Sequence, residues 1–343
     1  MKLALIGVGS LVGLAIGCVV GYSVGWFKTP SLPEGAAFDS LDDLRRSMLT
    51  TDERDLKPDQ NVSLRTIVQP DPSDLIIYRL KPNLSVKFQS VPVTTNSHGF
   101  RGPDIPVEKA AGVFRLALLG DSFTFGWGVE EPSTFARVIE RELNQLLPNG
   151  PRVEVLNLGV PGYSSFQEVA LLKDLGAKFQ PDAVLVYYVE NDIGLPFFVR
   201  NLAKPEELAR DTEFADFRAE QRDTEHDSAN AKLLKNLDPN RALRTLSEFA
   251  QERGIKTFVT INPGRRAEKD ESKLWVLQRR PDLQLLRIRD EVKAIIDEKG
   301  YQHEELQLKG DPHPSALKHG IIGAVLAKKL HDALWMSAEN GKS

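Results

Sequence analysis

A single cysteine, Cys18, stands among 343 residues, and it lies in the apolar N-terminus. The rest of the chain therefore has neither a disulfide framework nor a thiolate site. That scarcity is compatible with an oxidising compartment without requiring one. An excess of one charge is lacking too: 44 Lys and Arg stand against 48 Asp and Glu, a net charge of −4. The two signs are mixed, so no basic face for nucleic acid stands out. His and Cys never cluster at the spacing of a metal site, so no metal and no cofactor is expected. There is no internal repeat and no low-complexity tract. What is there, 41% hydrophobic and 27% charged, is enough to bury a full core.

The longest apolar stretch comes first. No charged residue occurs from Leu3 to Phe27. As a helix those residues would span about 37 Å, longer than the roughly 30 Å hydrocarbon core. Tyr22, Val24, Trp26 and Phe27 continue the run where a cleaved signal would have turned polar, and Trp26 sits where an interfacial aromatic belongs. Residues 1–27 are therefore expected to be a retained transmembrane anchor in the inner membrane, with the bulk of the chain outside the cytoplasm. The rival is a lipoprotein signal around Ala15-Ile16-Gly17-Cys18. Gly9, Gly13, Gly17, Gly21 and Gly25 recur every fourth residue, a strip that would let a second helix or a second copy approach closely.

Residues 28–74 are polar, with Pro30, Pro33 and Gly35 near the start, and read as a stalk with a short helix around Leu41–Leu49. Residues 75–111 hold short β-rich pieces, Leu75–Tyr78, Val86–Phe88 and Val91–Thr95, that lead into the main domain. From 112 to 338 strand and helix alternate. Phe114–Leu119, Val153–Leu158, Ala183–Val189 and Lys256–Ile261 are the strands. Thr134–Leu147, Ser165–Phe179, Arg241–Arg253, Leu285–Lys299 and Ser315–Leu334 are the helices. Continuous rather than alternating apolar strands predict a sheet covered on both faces. The order predicts a doubly wound, mainly parallel α/β sheet, with ligand sites at the carboxyl ends of the strands. Residues 200–235 interrupt the pattern with dense charge, as a solvated excursion or as a lid beside the site.

Chemistry-bearing residues gather at those strand ends. The first strand runs into Gly120-Asp121-Ser122, which sets a hydroxyl at the crevice; the bland alternative is a turn with a capping serine. The second ends in Asn157-Leu158-Gly159-Val160-Pro161-Gly162, where glycine frees an N–H for a ligand or simply makes a tight turn. The third ends in Glu190-Asn191-Asp192, where the Asn191 amide could serve a developing oxyanion or cap a helix. Asp311-Pro312-His313-Pro314 precedes the last helix. His313 is a base suited to neutral pH with a carboxylate beside it, or else part of a surface turn.

Taken together and in that order, these residues resemble the four sequence blocks of the SGNH hydrolases, a branch of the GDSL esterases and lipases. The resemblance covers roughly residues 112–335 and implies a flavodoxin-like sheet. It implies Ser122 as nucleophile, His313 as base and Asp311 as the orienter of His313. The oxyanion donors it implies are the Ser122 and Gly162 amides and the Asn191 side chain. Glu190 stands where many members carry glycine, and it has to turn away if negative charge is to develop beside Asn191. Thr95-Asn96-Ser97-His98-Gly99-Phe100-Arg101-Gly102 also looks like a stretch that precedes the first block in bacterial members. The expected function is a serine esterase acting, through an acyl-enzyme, on ester groups such as O-acetyl of an envelope or extracellular carbohydrate or lipid-like substrate. Two alternatives stay open: an O-acyltransferase working on polysaccharide, and a catalytically silent glycan-binding or scaffolding protein.

Overall fold

The apolar run after residue 112 forms an interior strand of a five-stranded, wholly parallel sheet in a computed structural model that describes residues 40–49, 61–193 and 238–336. The strands of this sheet are β1 (Val113–Leu119), β2 (Arg152–Asn157), β3 (Ala183–Tyr188), β4 (Lys256–Ile261) and β5 (Leu283–Leu285). Their spatial order is β5-β4-β3-β1-β2. The order reverses between β1 and β3, so the crevice of a doubly wound sheet opens at the carboxyl end of β1.

Alternate residues feed two cores. Leu116 and Leu118 of β1, with Ala183, Leu185 and Tyr187 of β3, face one side. Ala117 and Leu119, with Val184, Val186 and Tyr188, face the other. The period of two along a strand sends successive side chains to opposite faces, and helices cover both. Helices Phe135–Leu146, Arg289–Lys299 and Ala316–His331 cover the first face. Helices Ser165–Asp174 and Pro239–Gln251 cover the second. The one arginine inside the β1 run, Arg115, is buried because Glu154 and the carbonyls of Pro106, Val107 and Phe179 accept its N–H groups.

The structure departs from the sequence reading in several places. A fifth strand, β5, occupies residues expected to lie just before and at the start of a helix; that helix begins only at Arg289. Leu283-Gln284-Leu285 is too short to register as an apolar run. Tyr78–Leu80 is the strand, paired antiparallel with Val68–Pro70, while Leu75–Ile77 form the turn before it. The hairpin Ser85–Phe88 with Val91–Thr94 agrees with expectation, and Asn61–Val62 adds a parallel edge to it.

The described parts of the expected stalk are packed rather than solvated. Helix Leu41–Leu49 buries Leu44 and Met48, and Val62, Leu64, Ile67 and Val68 join the same core. Arg45 donates to the Asp71 carbonyl at 2.9 Å and to Asp74 at 2.8 Å. Leu41, Leu44 and Met48 make a stripe of only two turns, too short in a polar sequence to mark a core helix. The apolar run 3–27 with its five glycines, the rest of residues 28–60 and the charged insertion 200–235 lie outside the described residues. Among the described residues no helix is long and apolar enough to cross a membrane.

Candidate active site

The carboxyl end of β1 breaks into helix Ser122–Phe125 within two residues. Gly120 makes this feasible: its φ is +155°, and a Cβ there would lie 2.0 Å from Thr124 Oγ1. Asp121 caps the helix by accepting the Phe123 amide at 2.9 Å. Ser122 becomes the first helical residue, so its own N–H has no intrahelical acceptor.

Ser122 Oγ lies 2.8 Å from His313 Nε2. His313 Nδ1 lies 2.5 Å from Asp311 Oδ1. An ionised carboxylate can only accept, so Nδ1 carries the proton and Nε2 is left to accept from the serine. Burial works to raise the Asp311 carboxyl, but the hydrogen bond and charge of His313, helped by the Trp127 indole, outweigh it and leave the group below its ordinary value. The Asp311 side chain also takes the His313 backbone amide at 2.9 Å. That turn lets an aspartate only two residues away reach the ring. The turn itself is closed by Leu308 N donating to His313 O at 2.9 Å and Asp311 N to Leu308 O at 3.1 Å.

A second histidine nearby has a different task. His319 accepts the amide of Phe135, the first residue of its helix, at 3.1 Å. Burial, with the charges of Arg101 and His313, pushes it down to about 3, which keeps it neutral. It has no hydrogen bond to Ser122 and serves as a helix cap.

The loop after β2 lies against the serine helix. Val160 N donates to Gly120 O at 3.2 Å, and Gly159 allows the approach, since a Cβ there would meet Phe125 N at 2.3 Å. Gly162, at φ +81°, lies in this loop, and its N–H donates to nothing among the described residues. The Asn191 amide donates to Asp121 Oδ2 at 2.7 Å, leaving its second N–H for a ligand. The same Asp121 oxygen is 3.3 Å from Ser122 Oγ. Asp121 therefore ties together the serine helix and the turn that bears Asn191, a role the sequence reading left unassigned although the residue sits inside the quoted motif.

Glu190 does turn away. It pairs with Arg266 and, at 3.6 Å, with Lys273. Partial burial tends to raise its carboxyl, but these two cations win and hold it below the usual value. Its charge is thus compensated by two cations. The structure brings Ser122, His313 and Asp311 into one hydrogen-bonded row and links Asn191 to it through Asp121. It places Gly162 on the loop that packs against the serine helix. The sequence reading missed Trp127, whose indole N–H donates to Asp311 Oδ2 at 3.1 Å and whose ring stacks on His313 with centroids 5.0 Å apart.

Comparison with known proteins adds a family. Residues 118–284 match the GDSL-like Lipase/Acylhydrolase family, a span that includes Ser122, Gly162 and Asn191 and ends before Asp311. Among solved structures the chain is similar to a lipolytic protein of the G-D-S-L family from Desulfitobacterium hafniense DCB-2, at 17% identity and TM-score 0.39, over 63% of this chain and 99% of that one. It is also similar to a lipase/acylhydrolase from Enterococcus faecalis, at 17% identity and TM-score 0.39, over 64% and 96%. A third is the psychrotrophic esterase EstA from Pseudoalteromonas sp., at 14% identity and TM-score 0.40, over 64% and 98%. No curated protein matches in sequence. The family match over residues 118–284, within a parallel sheet whose switch point lies at Ser122, gives this chain a GDSL-like lipase/acylhydrolase domain, from a family of hydrolases.

Proposed function

We propose that the protein is a serine esterase that cleaves ester groups, O-acetyl among them, on an envelope or extracellular carbohydrate or lipid-like substrate. The observation that carries this reading is the row Ser122 Oγ–His313 Nε2–Asp311, with contacts of 2.8 and 2.5 Å, at the carboxyl end of β1. Ser122 Oγ attacks the ester carbonyl carbon while its proton passes to His313 Nε2. The oxyanion that forms accepts from the Ser122 and Gly162 amides and from the free N–H of Asn191. Collapse breaks the ester C–O bond, and the leaving alcohol takes the proton held on His313. Water, deprotonated by the same His313, then releases the acyl group from Ser122. Asp311 stays ionised throughout and stabilises the imidazolium.

The location of the substrate rests on the uncharged run Leu3–Phe27, whose length suits a membrane anchor and whose glycine strip suits a helix partner. The test of the chemistry is p-nitrophenyl acetate hydrolysis by the full-length protein and by Ser122→Ala, with no acyl acceptor but water. Hydrolysis by the wild type that falls to background in the variant is expected. Equal rates from the two folded proteins would remove Ser122 as nucleophile.

A further inference from the structure

The helix that carries Ser122 is only four residues long, and such a helix leaves its last carbonyls without partners. Asn157 takes the Thr124 carbonyl at 3.0 Å, and one buried arginine takes that of Phe125 and two more just beyond the helix. Arg101, 1% exposed, donates through Nη1 to the Phe125 carbonyl at 2.8 Å and to that of Gly126, and through Nη2 to that of Val129. Its guanidinium also lies over the Phe125 ring, 4.6 Å from the centroid. The three carbonyls bracket Trp127.

Arg101 comes from the stretch Thr95–Gly102, and the local structure explains why that stretch delivers it. Asn96 Oδ1 accepts the amides of His98 and Phe100 at 3.0 and 2.9 Å, folding the chain back so that Thr95 and Arg101 bridge. Gly99, at φ +82°, passes so close to the Leu80 carbonyl that a Cβ would lie 2.7 Å from its oxygen. Phe100 anchors the turn in the core beside Phe179. Phe88, from the preceding hairpin, meets the Trp127 ring edge-on at 4.9 Å. On the far side Trp127 stacks on His313 and bonds Asp311. The next residue, Gly128, is packed against Leu308 of the histidine turn, with no room for a Cβ (2.4 Å to Leu308 Cδ1).

We infer that Arg101 and Trp127 are positioning residues for hydrolysis: Arg101 locks the 125–129 loop, and Trp127 holds the Asp311 carboxylate in the plane that His313 needs. The inference rests on the serine-esterase reading. It assigns a catalytic purpose to residues 85–104, which lie before the family-matched span. Asp311 has two anchors, the His313 amide on Oδ1 and the indole N–H on Oδ2. Losing the second frees the carboxylate to rotate and the imidazole with it.

The experiment is a mutant cycle on the full chain with p-nitrophenyl acetate. Trp127→Phe keeps a ring to stack but has no N–H. It is expected to lower kcat on the order of tenfold to a hundredfold with KM within about twofold, as expected for a catalytic group slightly misplaced. In an Asp311→Asn background the same substitution is expected to change kcat by less than about threefold, because coupled residues do not add. Arg101→Lys keeps the charge but gathers its donors on one nitrogen in place of the fork that reaches from the Phe125 carbonyl to that of Val129, and should lower kcat in the wild-type background and have little further effect on Trp127→Phe. A full Trp127→Phe effect that persists in Asp311→Asn, or one that appears in KM alone, would overturn the inference. Ser122→Ala beside them separates two failures. Activity surviving there sinks the serine-esterase reading, and the positioning role with it. Activity abolished there while Trp127→Phe turns over like wild type sinks the positioning role alone.

Discussion

The two ends of the central sheet treat buried polar groups in opposite ways. At the amino end, Arg115 gives hydrogen bonds to Glu154 at 2.9 Å and to the carbonyls of Pro106, Val107 and Phe179. Asp182 there takes Lys109 Nζ at 2.6 Å and the Arg115 amide at 2.8 Å. At the carboxyl end, Asp121, Glu168 and Asp192 are all buried. Both Glu168 oxygens, Asp192 Oδ1 and the Tyr188 hydroxyl have no partner among the described residues. Burial, and then the charge of Asp121, push the Glu168 carboxyl well up; burial, then Glu168 and Asp121, do the same for Asp192. Folding alone would not keep unpaired acids when paired ones are available. The difference teaches that the amino end is built for stability, while the carboxyl end tolerates a cost where the candidate chemistry sits.

That contrast can be broken by mutation. The largest effect is expected from Arg115→Met at the amino end, which leaves Glu154 with Arg152 alone and strands the carbonyls of Pro106, Val107 and Phe179. Urea unfolding should show a loss of about 3–5 kcal/mol, with kcat of the folded fraction unchanged. A fall in kcat without loss of stability would erase the division of labour between the ends. Next comes Asn191→Ala at the carboxyl end. Removing one oxyanion donor should raise the barrier by about 2.7–4 kcal/mol, a kcat loss on the order of a hundredfold to a thousandfold. Stability should move by less than about 1 kcal/mol, as for an exposed side chain, and a melting curve checks it.

A smaller, pH-dependent effect is expected from Glu168→Gln. The folded Glu168 holds its proton more tightly than the unfolded chain does, so its contribution is full below the ordinary carboxylate range and lost as pH rises through the folded value. Glutamine cannot ionise. The variant should therefore gain in melting temperature relative to wild type between pH 5 and pH 9, and a constant difference across that window would show that burial does not strain this acid. The smallest effect belongs to Arg266→Ala. The pair with Glu190 is about half exposed, 52% and 38%, so stability should change by less than about 1 kcal/mol. The Glu190 charge, then balanced by Lys273 alone, should lower kcat by roughly twofold to fivefold at low ionic strength and less at high salt, where screening takes over.

The sheet was legible because four strands buried on both faces leave continuous apolar runs, with the serine, glycine and asparagine blocks at the ends of three of them and the histidine block before the last helix. Legibility failed where the signal is short or non-local. β5 has three residues and does not rise above its surroundings, and helix Leu41–Leu49 was expected on a stalk while its packing into the core was not. Glu190 looked adverse because its partners, Arg266 and Lys273, are remote in sequence. Arg101 lay in a stretch that was noticed without a role, since its partners are backbone carbonyls that any residues would supply.

By itself, then, the sequence determined the fold class, the succession of strands and helices along the chain, and the residue types placed at the strand ends. Local periodicity and turn chemistry act over a few residues, which is the range a linear reading can see. Only the tertiary structure decided that His319 is spent on the Phe135 amide, that Asp311 reaches the His313 ring across one proline, and that Trp127, Arg101 and Asp121 hold the row in place. Those choices depend on burial and on hydrogen bonds between segments up to 191 residues apart, and such contacts leave no mark on the spacing of the chain.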